Sequence, residues 1–197
     1  TRSYQAEGSW DLAVREAGVP GYRHTYVLIQ FGHNDAHRHL ADRWVELETE
    51  FPANLRKFVA DIRAAGATPI LMTPTVRWVF NTDGTLENAV APFADQTRKV
   101  AADLGVPLLD MNARTEALVE RMGPEAAPAT LAQRAPGEKP LSTLEAARPL
   151  GPESPQHGFT LKHDNVHLGP EGAAIFARLV ANDLAALMPQ LRSRLAP

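Results

Sequence analysis

The 197-residue chain is 44% apolar, enough for one sizeable core, and its formal net charge of -3 with a pI near 6.1 offers no clustered basic surface for nucleic acid or anionic lipid. It has no cysteine, which removes disulfides, thiolate metal sites and a cysteine nucleophile together. No apolar run approaches the roughly 20 residues that cross a bilayer, so neither nucleic acid nor membrane is an expected partner.

From the N-terminus, Thr1 to Gln5 match neither a signal peptide nor an initiating methionine, so the start reads as cut and the compartment stays open. A first β-rich run follows at Thr25 to Gln30, then an amphipathic helix over Phe51 to Ala65 whose Leu55, Phe58, Val59 and Ile62 share one face and which stops at Gly66. A second strand is predicted over Thr68 to Thr73, ahead of Pro74, then a helix over Ala91 to Leu104 that stops at Gly105, and a third strand over Val106 to Asp110. Helices over Asn112 to Met122 and over Gly169 to Leu187 complete the set, the last with Pro170 in its first turn, where a missing N–H costs nothing, and Glu171 at its positive end. Short apolar strands alternating with helices are the pattern of an α/β domain with a mostly parallel sheet, here one domain over residues 1–197. The proline-rich, weakly periodic stretch 123–157 is expected to be a long loop insertion, a lid or a substrate-facing element.

Two short constellations carry chemistry. The first, Ile29-Gln30-Phe31-Gly32-His33-Asn34-Asp35, stands where a strand ends, the place where open parallel sheets bind ligands. Gly32 lets backbone come close to a substrate, and the Asn34 amide can donate to the oxyanion formed when an ester carbonyl is attacked, a contact worth about 3 kcal/mol in enzymes that use one. The same four residues, Gly-His-Asn-Asp, also suit a plain turn. The second is His163-Asp164-Asn165-Val166-His167, just before the last helix. An aspartate three residues before a histidine on a loop can fix the imidazole tautomer and leave the other nitrogen as general base, or can simply stiffen the loop.

Together, in this order, the two constellations resemble the conserved blocks of the GDSL/SGNH hydrolase family, and in particular its rhamnogalacturonan acetylesterase branch. Arg2-Ser3-Tyr4 with Glu7-Gly8 resembles the end of the second block, Gln30 to Asp35 the third, and Asp164 to Leu168 with Gly172-Ala173 the last. The resemblance implies a flavodoxin-like three-layer sandwich and an esterase acting on O-acetyl groups of pectin-type carbohydrate through Ser, His and Asp, without a cofactor. It makes His167 the general base and acid, Asp164 its orienting carboxylate, Asn34 the oxyanion donor and Gly32 its support; Arg2 and His33 are, apart from the resemblance, candidate substrate contacts. The family's nucleophile is the serine of a Gly-Asp-Ser block, and none of Ser3, Ser9, Ser142, Ser154 and Ser193 stands in such a block. The natural polypeptide is therefore expected to be longer, with the serine and the first two strands upstream of Thr1. Without those strands, Val27 and Ile29 are expected on an exposed apolar edge. Other readings are an esterase, lipase or acyltransferase on another acyl ester, or a carbohydrate-binding relative that lacks catalysis.

Weaker signals compete with this picture. His33, Asp35, His37 and His39 suggest metal ligands, yet Arg38 interrupts them and no carboxylate–histidine helix motif accompanies them, so no metal is expected. Trp44, Trp78 and Phe80 suit either stacking on sugar rings or core packing, and Arg77, like Arg2, either an acidic sugar or solvent.

Overall fold

The computed structural model describes residues 1–131 and 165–195. The chain divides into two compact units, one of Thr1–Pro74 with Val90–Asn112, the other of Thr75–Ala89 with the described residues from Ala113 onward.

The first unit is the α/β unit. Its helices are α1 (Arg2–Ala6), α2 (Ser9–Ala17), α3 (Glu50–Ala64) and α4 (Ala91–Leu104), and its strands are β1 (Tyr26–Gln30), β2 (Thr68–Met72) and β3 (Leu108–Leu109). The strands form a parallel sheet in the order β1-β2-β3, with Tyr26 opposite Thr68 and Leu71 opposite Leu108. Pro69 sits in the central strand without cost to the ladder. The bonds toward β3 begin only at Leu71 N–H, which donates to the Pro107 carbonyl, so the position of the missing Pro69 donor faces no strand.

The helices cover one sheet face. Phe51, Leu55, Phe58, Val59 and Ile62 of α3 repeat at the helical period and are all buried, and they share a core with Ile29, Leu71, Phe93, Val100 and Trp10. Trp10 of α2 stacks on Phe58 at 4.0 Å and donates its indole N–H to Asp61 at 2.8 Å. Helices α1 and α2 carry no prediction from sequence. This packing corrects the expected apolar edge: Ile29 is 2% exposed and Val27 packs against the same core, whereas Leu28, pointing to the other face, is 39% exposed. Strand alternation turns Val27 and Ile29 onto the helical face, and an edge position in the sheet does not alter that.

The second unit is held by fewer, more irregular pieces. Helix α5 (Met111–Ala126), whose first two residues belong to the first unit, breaks at Gly123, where φ is 72° ahead of Pro124. A 3-10 turn, Ala127–Thr130, follows it, then the last helix, α6 (Pro170–Leu187), and a further 3-10 segment, Pro189–Arg194. Val76, Trp78, Phe80, Val119 and Ala127 make its small core, with Leu86, Met122, Leu131 and Leu168 packed against it. The stretch predicted as loop from 123 is thus helical or 3-10 as far as Thr130, because Gly123 breaks the helix and Pro124 suits the start of the next turn. Residues 132–157 of that stretch lie outside the described residues. Trp78 and Phe80 are core side chains, each 4% exposed, which settles their role as packing.

Candidate active site

In the first unit the site is built at the C-terminal ends of the strands. The side chains there tie the three ends together: Gln30 Nε2 donates to the Thr73 carbonyl at 3.0 Å, Thr73 Oγ1 to Asp110 at 3.0 Å, and Asn112 Nδ2 to the Pro74 carbonyl at 3.0 Å. Asp110 also takes a two-pronged contact from Arg98, whose charged form that hydrogen bond favours, so its pKa is raised. Thr73 and Asn112 are fully buried, and so this rim is fixed by satisfied hydrogen bonds.

On that rim the chain turns through Gly32 to Asp35. Gly32 has φ of 133°, and a Cβ added there would stand 2.8 Å from Cγ of Pro74 and 3.2 Å from Cβ of Phe93. Only glycine fits such a backbone at so close an approach. Ala36 N–H donates to the Gly32 carbonyl and His37 N–H to that of Asn34, which makes the turn helical in sense and sets Asn34 at its exposed tip. Asp35, in contrast, is 1% exposed. Its Oδ2 accepts the Gly32 N–H at 3.1 Å, while Oδ1 accepts the Thr1 hydroxyl at 2.6 Å and the Thr1 nitrogen at 2.5 Å. Thr1 Oγ1 in turn accepts from Asn54 Nδ2 of α3 at 3.0 Å.

Beside the turn, His33 is half-buried, and His37 and His39 meet edge-on at 5.3 Å. Among the described residues, no three His, Asp or Glu side chains gather as ligands for a metal. Arg2 spends Nε and Nη2 on Glu50 and Nη1 on the Ala41 carbonyl, bracing the segment that follows the turn. Half-buried Trp44 of that segment receives the Arg38 guanidinium 6.0 Å from its ring centre.

In the second unit, His167 is exposed just before α6. Its segment is pinned on both sides. Upstream, the Asn165 carbonyl accepts Trp78 N–H at 2.9 Å; downstream, Leu168 bridges to Leu131 and Gly169 N–H donates to the Thr130 carbonyl at 2.9 Å. Trp78 Nε1 donates to Thr130 Oγ1 at 3.0 Å, so Thr130 is tied both to Gly169 and to the tryptophan that holds Asn165. Gly172 of α6 runs so close to Thr130 that an added Cβ would stand 2.1 Å from its carbonyl oxygen. Arg77, next to Trp78, has its pKa lowered by burial, with Glu87 opposing. Asp164, the predicted partner of His167, lies outside the described residues.

The motifs singled out Gly32, Asn34 and His167, but not the groups that hold them. Asp35 was visible as an acid three residues after a glycine, a spacing that closes a side-chain-to-backbone turn. Thr130 gave no signal, being one hydroxyl in a proline-rich stretch.

A family model for GDSL-like lipases and acylhydrolases matches residues 1–175. The chain is 31% identical over 195 residues to the rhamnogalacturonan acetylesterase RhgT of Bacillus subtilis, an alignment spanning 99% of this chain and 74% of that protein. Among solved structures it is similar to the YXIM protein of Bacillus subtilis, with a TM-score of 0.62 at 20% identity, over 94% of this chain and 42% of that one. It is likewise similar to a catalytic mutant of Axe2, an acetylxylan esterase from Geobacillus stearothermophilus, with a TM-score of 0.59 at 17% identity over 93% and 68% of the two chains.

Proposed function

The chain belongs to the GDSL-like lipase/acylhydrolase family, and from that premise we propose that it works as a serine esterase removing O-acetyl groups from carbohydrate of the rhamnogalacturonan type. The observation that carries the substrate class is the 31% identity to a rhamnogalacturonan acetylesterase over 99% of the chain. The reaction class is supported by an amide, Asn34, presented at the exposed tip of a turn whose other members are held by buried hydrogen bonds.

In the proposed reaction a serine of a Gly-Asp-Ser block, outside the 197 residues, attacks the acetyl carbonyl. His167 takes its proton and gives it to the departing sugar oxygen, which leaves as a hydroxyl, and an acetyl-serine remains. Asp164 holds the imidazole, and Asn34 Nδ2 donates to the oxygen that becomes negative. Gly32 supports the turn that presents Asn34, its lack of a side chain making room for Pro74 and Phe93. Water, deprotonated by His167, then attacks the acetyl-serine; acetate leaves and the serine oxygen takes the proton back from His167. His33 and Arg2 are the proposed carbohydrate contacts. Arg2 makes its contact with whatever of its guanidinium is not engaged by Glu50 and Ala41. No step calls for a cofactor.

The test is acetate release by the natural full-length polypeptide from O-acetylated rhamnogalacturonan, acetylated xylan and a long-chain acyl ester, with wild type and His167→Ala. The acetylated rhamnogalacturonan is expected to react fastest, and His167→Ala to lose at least about 1,000-fold in kcat. Turnover by the variant equal to wild type removes His167 as the base, and preference for the long-chain ester moves the protein to a lipase role.

A further inference from the structure

The mechanism above leaves one buried acid without a task. Asp35 adjoins Asn34, is 1% exposed, and has no lysine or arginine among its hydrogen-bond partners. A carboxylate is expensive to bury unless its lone pairs are filled by donors, so its burial behind the turn calls for a reason. Its two oxygens divide the work. Oδ2 receives the Gly32 N–H and Oδ1 receives Thr1, itself tied to α3 through Asn54 Nδ2. The backbone of Asp35 is fixed as well, since its carbonyl accepts Val45 N–H. Asn34 therefore lies between two clamped residues, Gly32 and Asp35, while its own side chain is exposed.

We infer that Asp35 is a positioning residue for the oxyanion donor: by binding Gly32 N–H and Thr1 at once, it sets the backbone from which the Asn34 amide reaches the reacting carbonyl. This rests on the reading of Asn34 as that donor. An oxyanion donor acts through placement, because a displacement of about 1 Å removes most of its differential effect on the transition state. Loss of the clamp accordingly lowers kcat and leaves KM, and it matters only while Asn34 carries an amide.

The experiment is a double-mutant cycle in the natural full-length enzyme, with Asn34→Ala, Asp35→Asn and the pair, reading kcat and KM for acetate release. Asp35→Asn keeps the shape and one acceptor oxygen but turns an NH2 group toward the Gly32 N–H or the Thr1 donors. It is expected to lower kcat by about 10-fold with KM within twofold, and to have less than a twofold effect when Asn34 is already alanine. Equal losses from Asp35→Asn in both backgrounds overturn the inference, as does unchanged kcat. An Asn34→Ala enzyme with wild-type kcat overturns the assignment of Asn34 instead. If Asp35→Asn does not fold, Thr1→Val and Thr1→Ser replace it: loss of the hydroxyl is expected to lower kcat and the serine to restore it. Equal kcat for those two overturns the inference.

Discussion

The two units hold their functional residues by different means. In the first, Asn34 stands on a turn backed by a parallel sheet and by helices with apolar residues at regular spacing, and the hydrogen bonds at the strand ends only finish the placement. In the second, His167 sits between contacts to Trp78, Thr130 and Leu131, and a core of five buried side chains stands behind them. One site residue depends on bulk burial, the other on a few close backbone contacts. Substitutions should therefore act differently in the two places.

The largest effect is expected in the first unit. Phe58 is fully buried between Trp10 at 4.0 Å and Phe31 at 5.2 Å, and Phe58→Ala is expected to cost about 3–5 kcal/mol in denaturant unfolding. A loss below about 1 kcal/mol would mean that periodic burial does not dominate there. Next is Gly172→Ala. It adds only a methyl group, but against the Thr130 carbonyl it must shift α6, so a loss of about 2–4 kcal/mol is expected, together with slower turnover through displacement of His167. Retained stability and kcat in that variant would erase the contrast between the units.

Trp78→Phe is expected to cost about 1–3 kcal/mol, since the Thr130 hydroxyl loses its indole donor inside the core. The smallest effect belongs to an exposed group. Hydrogen bonds from the Thr49 side chain and backbone hold Glu46 below the ordinary glutamate value of 4.5, so its contribution to the start of α3 is present above that pH and fades as pH falls. A Glu46→Gln variant should melt slightly below wild type at pH 7, with the gap narrowing as pH falls below 4.5. A gap that does not narrow would assign the effect to something other than charge.

Legibility divided instead between the elements and the contacts that join them. The helix of Ala91–Leu104 has the residues predicted for it, and the α3, β1 and β2 bounds differ by a residue, because side-chain periodicity and terminal glycines are local signals. The five-residue helix α1 is too short for any period to show, and Trp10 announces its stack on Phe58 nowhere in its own neighbourhood. Likewise the spacing of Asp35 from Gly32 gives no hint of Thr1, 34 positions away, on its other oxygen. Motif residues could be named from the sequence because they recur as blocks. Thr130 and Asn54 support them through contacts between distant segments, and no pattern of spacing encodes such contacts.

The most direct test of the account is the kinetic effect of Asn34→Ala in the natural full-length enzyme, measured as acetate release from O-acetylated rhamnogalacturonan. The account predicts that kcat falls by about 100- to 1,000-fold while KM stays within about twofold, the signature of an interaction made in the transition state. An unchanged kcat, or a loss confined to KM, would contradict it.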